Sequence, residues 1–241
     1  MKINLFLAPN GLDEFYFTGK NTVVIDALRT TSVICTALAN EAKEVIPVAS
    51  FEYAMKISDG ILSGQTLLRG ERNTKKIEGF NLGNSPLEYS PETVTGKSIV
   101  LITTNGSKAI VKAKFSQNLI ICSFLNLSAV TNYLIDKNED FEILCSAKGS
   151  SLNMGDTVCA GKLISEIRNS IQNCELTDSA LAAVSLNQCH GNNIKKMLYE
   201  SEHGKILIEN GFEEDLNFCA NLNSLSIIPF YNGGSVKLSA N

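Results

Sequence analysis

Asp26 and Arg29 stand three residues apart in Val-Val-Ile-Asp-Ala-Leu-Arg-Thr-Thr-Ser (residues 23–32), directly after an apolar run and ahead of three hydroxyls. A carboxylate there suits a divalent cation, and hydroxyls with free backbone N–H groups suit a phosphate. The commoner use of such residues is an Asp that closes a turn beside a Thr/Ser helix cap. Leu-Leu-Arg-Gly-Glu-Arg (67–72) sets Arg69, Glu71 and Arg72 around Gly70 after another apolar run. On its own that triplet is an ordinary solvated charge cluster. Arginine usage argues otherwise: the chain has 17 Lys and four Arg, and three of the four (Arg29, Arg69, Arg72) fall in these two segments. Guanidinium is the fork that reads carboxylate, phosphate or sulfonate oxygens, so the placement describes an oxyanion site.

Three further segments carry weaker signals. Thr103, Thr104, Asn105, Gly106 and Ser107 follow the run Ile-Val-Leu-Ile, and Gly106 lets the backbone approach a ligand. An Asn-Gly turn with a Ser cap would look the same. Asn84 and Ser85 lie in a Gly/Asn/Pro loop (79–89), and Lys148 and Asp156 flank Gly-Ser-Ser-Leu-Asn-Met-Gly, where Asp156 has the position of a plain helix cap. Several known sites are excluded. There is no Asp-x-Asp, no Cys followed six residues on by Arg, and no Arg-His pair. Gly96-Lys97-Ser98 mimics the end of a phosphate-binding loop, but Pro91 stands where its first Gly is required, and no Gly-x-Gly-x-x-Gly occurs.

These segments must be positioned by the elements around them. Apolar runs at 3–8, 22–26, 44–48, 66–70, 98–103, 118–122, 141–145 and 225–230 read as strands. Helical patterns follow many of them, at 31–40, 51–62, 106–114, 126–137 and 157–171, before a long helical zone at 176–210. The alternation predicts an α/β fold: three α/β/α layers on a mostly parallel or mixed sheet, with the candidate residues at the carboxyl ends of strands. No linker interrupts it, so residues 1–241 read as one compact domain. Thr30-Thr31 and Thr103-Thr104 each open a helix, and each is followed at the same distance by Ser-Phe (50–51 and 123–124). The spacing fits an internal duplication of a strand–Thr-Thr–helix–strand unit, or coincidence among common residue types.

In this order the segments Val-Val-Ile-Asp-Ala-Leu-Arg-Thr-Thr-Ser, Leu-Leu-Arg-Gly-Glu-Arg, Gly-Phe-Asn-Leu-Gly-Asn-Ser-Pro, Thr-Thr-Asn-Gly-Ser-Lys-Ala and Gly-Asp-Thr-Val-Cys-Ala-Gly resemble the 2-phosphosulfolactate phosphatases, as does the tail from His203 to Pro229. The resemblance spans about residues 22–230. It implies a magnesium-dependent phosphatase that converts 2-phospho-3-sulfolactate to 3-sulfolactate and phosphate, a step of coenzyme M biosynthesis in methanogens. Two positions depart from the family pattern: Gly155 replaces an acidic residue before Asp156, and Asn73-Thr74 replace glycines after Gly-Glu-Arg. If the missing acid supports the metal, metal affinity changes with it. On this reading Asp26, Glu71 and Asp156 are the candidate Mg²⁺ ligands. Arg29, Arg69, Arg72 and Lys148 balance substrate charge. Asn84, Ser85, Thr104, Asn105, Gly106 and Ser107 supply hydrogen-bond donors. Direct attack by water and a phosphorylated Asp26 both remain open. The rival readings are the same chemistry on another small acidic phosphoester, and a non-catalytic organic-anion binder.

Composition bounds the partners. Net charge is −4 with no Lys/Arg block, so neither nucleic acid nor an anionic membrane surface is expected. Residues 115–135 lack charge but are broken by Asn and Ser, which argues against a membrane span. Seven cysteines without a Cys-x-x-Cys spacing read as reduced core thiols of a cytoplasmic protein. A homodimer is compatible with everything in the sequence.

Overall fold

The computed structural model describes residues 1–58, 65–147, 149 and 151–238. In chain order the elements are β1 (Lys2–Phe6), β2 (Asn21–Ile25), α1 (Thr30–Ala39), β3 (Glu44–Pro47), α2 (Phe51–Ser58), β4 (Thr66–Arg72), β5 (Lys75–Lys76), α3 (Pro91–Val94), β6 (Ser98–Ile102), α4 (Gly106–Lys112), β7 (Asn118–Cys122), α5 (Leu127–Lys137), β8 (Phe141–Cys145), α6 (Met154–Ser170), β9 (Glu175–Leu176), α7 (Asp178–His190), α8 (Ile194–Glu200), α9 (Glu202–Glu209), α10 (Glu213–Cys219), β10 (Pro229–Asn232) and β11 (Ser235–Leu238). Residues 59–62 of the expected 51–62 helix lie outside the described residues. The expected strand at 225–230 begins only at Pro229, and the helical zone at 176–210 is three helices.

The strands form one mixed sheet, ordered β5-β4-β6-β3-β11-β10-β7-β2-β8-β1-β9. Two parallel blocks, β4-β6-β3 and β7-β2-β8-β1, are joined by the antiparallel hairpin β10–β11. That hairpin closes through Gly233 and Gly234, both at positive φ, the two-residue loop that suits strand twist. The order also has an internal symmetry. Exchanging β2-α1-β3-α2-β4 with β6-α4-β7-α5-β8, and β10 with β11, maps β4-β6-β3-β11 onto β8-β2-β7-β10. This is the arrangement that a duplicated unit produces when each copy lends its first strand to the other.

Strand alternation sends side chains to opposite faces. Val23, Ile25, Ile120, Cys122 and Ile143 pack on one face with Val130 of α5 and Val158, Leu163 and Ile167 of α6. Val24, Leu119, Ile121 and Leu144 point to the other, where Val45, Ile99 and Leu101 of the second block join them around α1. Behind that block, Leu68 and Val100 pack with Ala54 of α2 and Phe80. The result is a three-layer α/β fold. Every residue of α1 from Thr30 to Leu38 is buried, and the hydroxyls of Thr31, Ser32 and Thr36 donate to the carbonyls of Asp26, Ala27 and Ser32. Five interstrand spacings separate β6 from β2, roughly 24 Å in a flat sheet. Yet α4 packs against β2, and a side chain on Gly106 would run into Asp26 Oδ2 and Thr30 Oγ1. The sheet therefore curls around α1 and brings the carboxyl ends of both blocks to one place.

Candidate active site

The curl produces a cleft of about 610 Å³ at the carboxyl ends of β2, β4, β6 and β8. Of the residues expected from sequence, Asp26, Arg29, Glu71, Arg72, Asn84, Thr104 and Asn105 line it. Asp26 ends β2. Its backbone N–H donates to Thr31 Oγ1 at 3.1 Å, and its carbonyl accepts from the same hydroxyl at 2.9 Å, which locks the start of α1. Burial pushes the Asp26 carboxyl above its ordinary value and Glu71 adds to the rise, while the hydroxyl and amide of Thr30 and the nearby His203 oppose it.

Arg29 caps α1 by position and is almost fully buried. Its Nη1 donates to Asp215 Oδ2 on α10 at 2.5 Å, its Nη2 donates to the Thr74 carbonyl at 3.0 Å, and its plane lies over the Phe212 ring, 4.3 Å from the centroid. Its Nε has no partner among the described residues. Asp215 also accepts from Ser85 Oγ at 2.6 Å, so Ser85 serves this ion pair instead of facing the cleft. Arg69 is fully buried as well. It donates through Nε to Tyr89 Oη at 2.8 Å and through Nη2 to Asn84 Oδ1, and it does not line the cleft. The direct anion contact expected of Arg69 becomes a positioning role behind Asn84. Arg72, by contrast, is exposed, and its guanidinium makes no hydrogen bond or ion pair among the described residues.

Glu71 stitches two loops together. Its Oε1 accepts from Thr104 N at 2.7 Å and its Oε2 from Thr74 N at 3.0 Å. Asn73 and Thr74 form the two-residue loop between β4 and β5, with φ of 52° and 69°. Such a loop suits Asn-Gly; a β-branched Thr in the left-handed region is strained by about 1–2 kcal/mol. Thr74 is buried in the cleft wall, and its Oγ1 has no partner.

Three expectations change. Asp156 is fully buried and does not line the cleft. Its Oδ1 accepts from Ala27 N at 2.9 Å, and its Oδ2 from Ser146 Oγ at 2.9 Å and Ala147 N at 3.3 Å, so it knits the ends of β2 and β8 beneath the floor. Burial and Asp26 push its carboxyl well up. Ser107 is buried in a reciprocal pair with Thr103, its N–H donating to Thr103 Oγ1 at 2.8 Å while its Oγ accepts from Thr103 N at 3.0 Å. Gly106 leaves open the space beside Asp26 that a side chain would fill, and it is not among the residues that line the cleft. Gly155 does not line the cleft, and a side chain there would start 3.2 Å from Leu198 of α8 and 3.4 Å from Asn153 Oδ1. Lys148 lies outside the described residues.

Sequence reading missed Thr74, Lys75, Ser146, Asn153, His203 and Asn210, which complete the wall, and Asp215 behind it. His203 and Asp215 sit in the carboxyl-terminal tail whose pattern was noticed; no spacing rule tied either to residues almost two hundred positions earlier. Thr30 and Thr74 adjoin residues already singled out.

Among the described residues no three His, Cys, Asp or Glu side chains converge on a metal position. Asp26 and Glu71 supply two carboxylates facing one cleft, without soft ligands. That set fits Mg²⁺ shared with a phosphate and waters, not a closed protein cage. No cysteine lines the cleft, and burial pushes the thiols of Cys35, Cys145, Cys159 and Cys219 up. No helix among the described residues is long and apolar enough to cross a membrane.

Parallel strand ends, a wall of arginine, lysine and hydroxyl groups, and two carboxylates in one cleft describe an α/β site for a small anionic ligand. Residues 7–234 match the 2-phosphosulpholactate phosphatase family, and the chain belongs to it. It is 40% identical over 239 residues, 99% of both chains, to a protein of Caldanaerobacter subterraneus named a probable 2-phosphosulfolactate phosphatase. Proteins of the same name from Clostridium perfringens and Thermotoga maritima are 38% and 42% identical, over 98% and 87% of this chain and 96% and 88% of theirs.

Proposed function

We propose that this chain hydrolyses 2-phospho-3-sulfolactate to 3-sulfolactate and inorganic phosphate with Mg²⁺, in the cytoplasm. The observation that carries the reading is a pair of buried polar atoms without protein partners, Arg29 Nε and Thr74 Oγ1, in the wall of a cleft that also holds Asp26 and Glu71. Buried polar atoms are rarely left unpaired; Arg69 Nη1 and Asn187 Oδ1 lack partners away from the cleft, and the pair in its wall is the one that ligand oxygens would satisfy. Arg72 and Lys75 add exposed positive charge at the rim, more than one phosphate needs beside a divalent cation. The surplus suits a substrate with a carboxylate and a sulfonate besides its phosphate. Seven unpaired thiols support a reducing compartment.

Asp26 and Glu71 would hold the Mg²⁺, which supplies Lewis-acid charge against the phosphoryl oxygens. Arg29 Nε orients the phosphoryl group, and the Asp215 and Thr74 contacts hold the guanidinium fixed while it does so. Asn84, steadied by Arg69, and Thr104, steadied by Glu71, close the sides. Asp26 is the carboxylate that faces the reacting group. There it either takes the proton of a water that displaces the sulfolactate oxygen, or displaces that oxygen itself to form an acyl phosphate that water then hydrolyses, the departing oxygen being protonated in both cases; acid-quench trapping of a phosphorylated Asp26 separates the two.

Steady-state kinetics on 2-phospho-3-sulfolactate and phospholactate test the substrate. Loss of the sulfonate is expected to lower kcat/KM by roughly 10²-fold, because charged partners are left unpaired. Arg72→Ala should lower turnover of the sulfonated substrate and narrow its advantage. Equal kcat/KM for the two substrates in the wild type would overturn the three-anion reading, and an unchanged preference in Arg72→Ala would remove that residue's role.

A further inference from the structure

We infer that Thr74 is a substrate-binding residue whose hydroxyl donates to the phosphoryl oxygens, a contact made by placing Thr where the hairpin loop suits glycine. The inference rests on the phosphatase reading for its ligand, and on the geometry of the loop for its residue.

Asn73 and Thr74 link β4 to β5 as a two-residue loop, fixed by the pairs Glu71↔Lys76 and Arg72↔Lys75. Both loop residues take positive φ. Asn accepts that conformation readily and Thr does not. A strained residue persists only where its surroundings over-determine it, and strain of this kind gathers at ligand clamps. Thr74 is held at both backbone groups: its N–H donates to Glu71 Oε2, and its carbonyl accepts from Arg29 Nη2. The two residues that hold it line the same cleft. Thr74 is more than nine-tenths buried, lines the cleft and leaves Oγ1 without a partner among the described residues.

A structural purpose would be served better by glycine, which fits φ of 69° without strain and leaves no buried hydroxyl unsatisfied. The hydroxyl is what Thr adds. Its neighbours identify the ligand atom. Glu71 and Arg29, on either side of Thr74, face the same space as Asp26, where the phosphoryl group belongs. A neutral hydroxyl there donates to phosphoryl oxygen and adds no charge to a wall that already carries Arg29 and Lys75.

Three variants separate the hydroxyl from the loop. Thr74→Gly relieves the backbone and removes the hydroxyl; Thr74→Val removes the hydroxyl and keeps the β-branch; Thr74→Ser keeps the hydroxyl. Two readouts are taken on the purified full chain: kcat/KM for 2-phospho-3-sulfolactate and for phospholactate, and the inhibition constant for inorganic phosphate. Loss of one hydrogen bond to a charged group predicts that Gly and Val lose about tenfold or more in kcat/KM on both substrates and bind phosphate about tenfold more weakly. Ser should stay within about threefold of wild type. Tm of Thr74→Gly should equal or exceed that of wild type, because strain is relieved. If Thr74→Gly matches wild type in turnover and in phosphate affinity, Thr74 merely shapes the loop and the inference is overturned. Phosphate affinity by thermal shift reads the inference even without turnover. A wild type that ignores 2-phospho-3-sulfolactate, while Gly and Val still weaken phosphate binding and Ser does not, defeats the substrate assignment and sustains Thr74.

Discussion

Asp26, just after β2, and Asp156, in the first turn of α6 where Asn153 is the cap, are both buried acids, and their surroundings divide their roles. Asp26 faces the cleft beside Glu71, whereas Asp156 accepts three hydrogen bonds from residues 27, 146 and 147 below it. Asp156→Asn turns an amide toward those donors and should leave one or more unpaired, at a cost of about 1–3 kcal/mol each. In a chain of this size that lowers Tm by about 2–4 °C for each kcal/mol. Asp26→Asn should hold Tm near the wild-type value and lower kcat on the order of 10³-fold. Calorimetry and phosphate release on both variants check the division; a stable, inactive Asp156→Asn beside an active Asp26→Asn would reverse it. In the sequence the two acids look alike, each at the junction of strand and helix. What distinguishes them is how many backbone N–H groups converge on each, and those N–H groups belong to segments more than a hundred residues apart.

At the scale of elements, the hairpin β10–β11 joins the two parallel blocks, and its link to β3 is narrow, with Val236 opposite Val45 as the register pair. Glu44 reinforces that seam, accepting from Ser98 Oγ at 2.9 Å and pairing with Lys237 at 3.0 Å. Burial alone would raise the Glu44 carboxyl, but Lys237, Ser98 and Ser235 outweigh it and hold the carboxyl below its ordinary value. A carboxyl held low in the folded chain contributes stability that is fully present above its unfolded pKa and is lost as pH falls through the folded one. Lys237 is half exposed, so the gain is modest. Glu44→Gln should lower Tm at pH 7 by a few degrees, on the order of 1 kcal/mol, and the gap from wild type should close as the buffer is acidified below the folded value. A gap that stays constant with pH would assign the loss to packing instead. The strands of both parallel blocks were legible because each is a short apolar run ended by polar residues. The hairpin was not: its first strand is an aromatic, half-buried piece, and its signal is the Asn-Gly-Gly-Ser turn rather than an apolar run. The helical zone after residue 176 likewise hid caps at Asn193 and Ser201, whose side chains accept from Lys196 N and Gly204 N and break it into pieces.

Across the whole molecule, the duplicated strand order explains how residues far apart in sequence meet. Each βαβαβ unit contributes the end of its first strand, Asp26 from β2 and Thr104 after β6, and the sheet bends around α1 until the two ends face each other. The carboxyl-terminal helices then close one side, with His203 and Asn210 at the wall and Asp215 holding Arg29 from behind. Sequence spacing suggested the repeat and the two strand ends; closure by α9 and α10 is a tertiary event that no local pattern records. The central claim is a Mg²⁺-assisted phosphatase whose cleft is cut for a substrate with three anionic groups. Release of inorganic phosphate from 2-phospho-3-sulfolactate, followed with Mg²⁺ and after chelation, tests it most directly. The account predicts rapid release that chelation abolishes and added Mg²⁺ restores. Release unaffected by chelation would contradict the role given to Asp26 and Glu71, and no release with Mg²⁺ present would contradict the substrate.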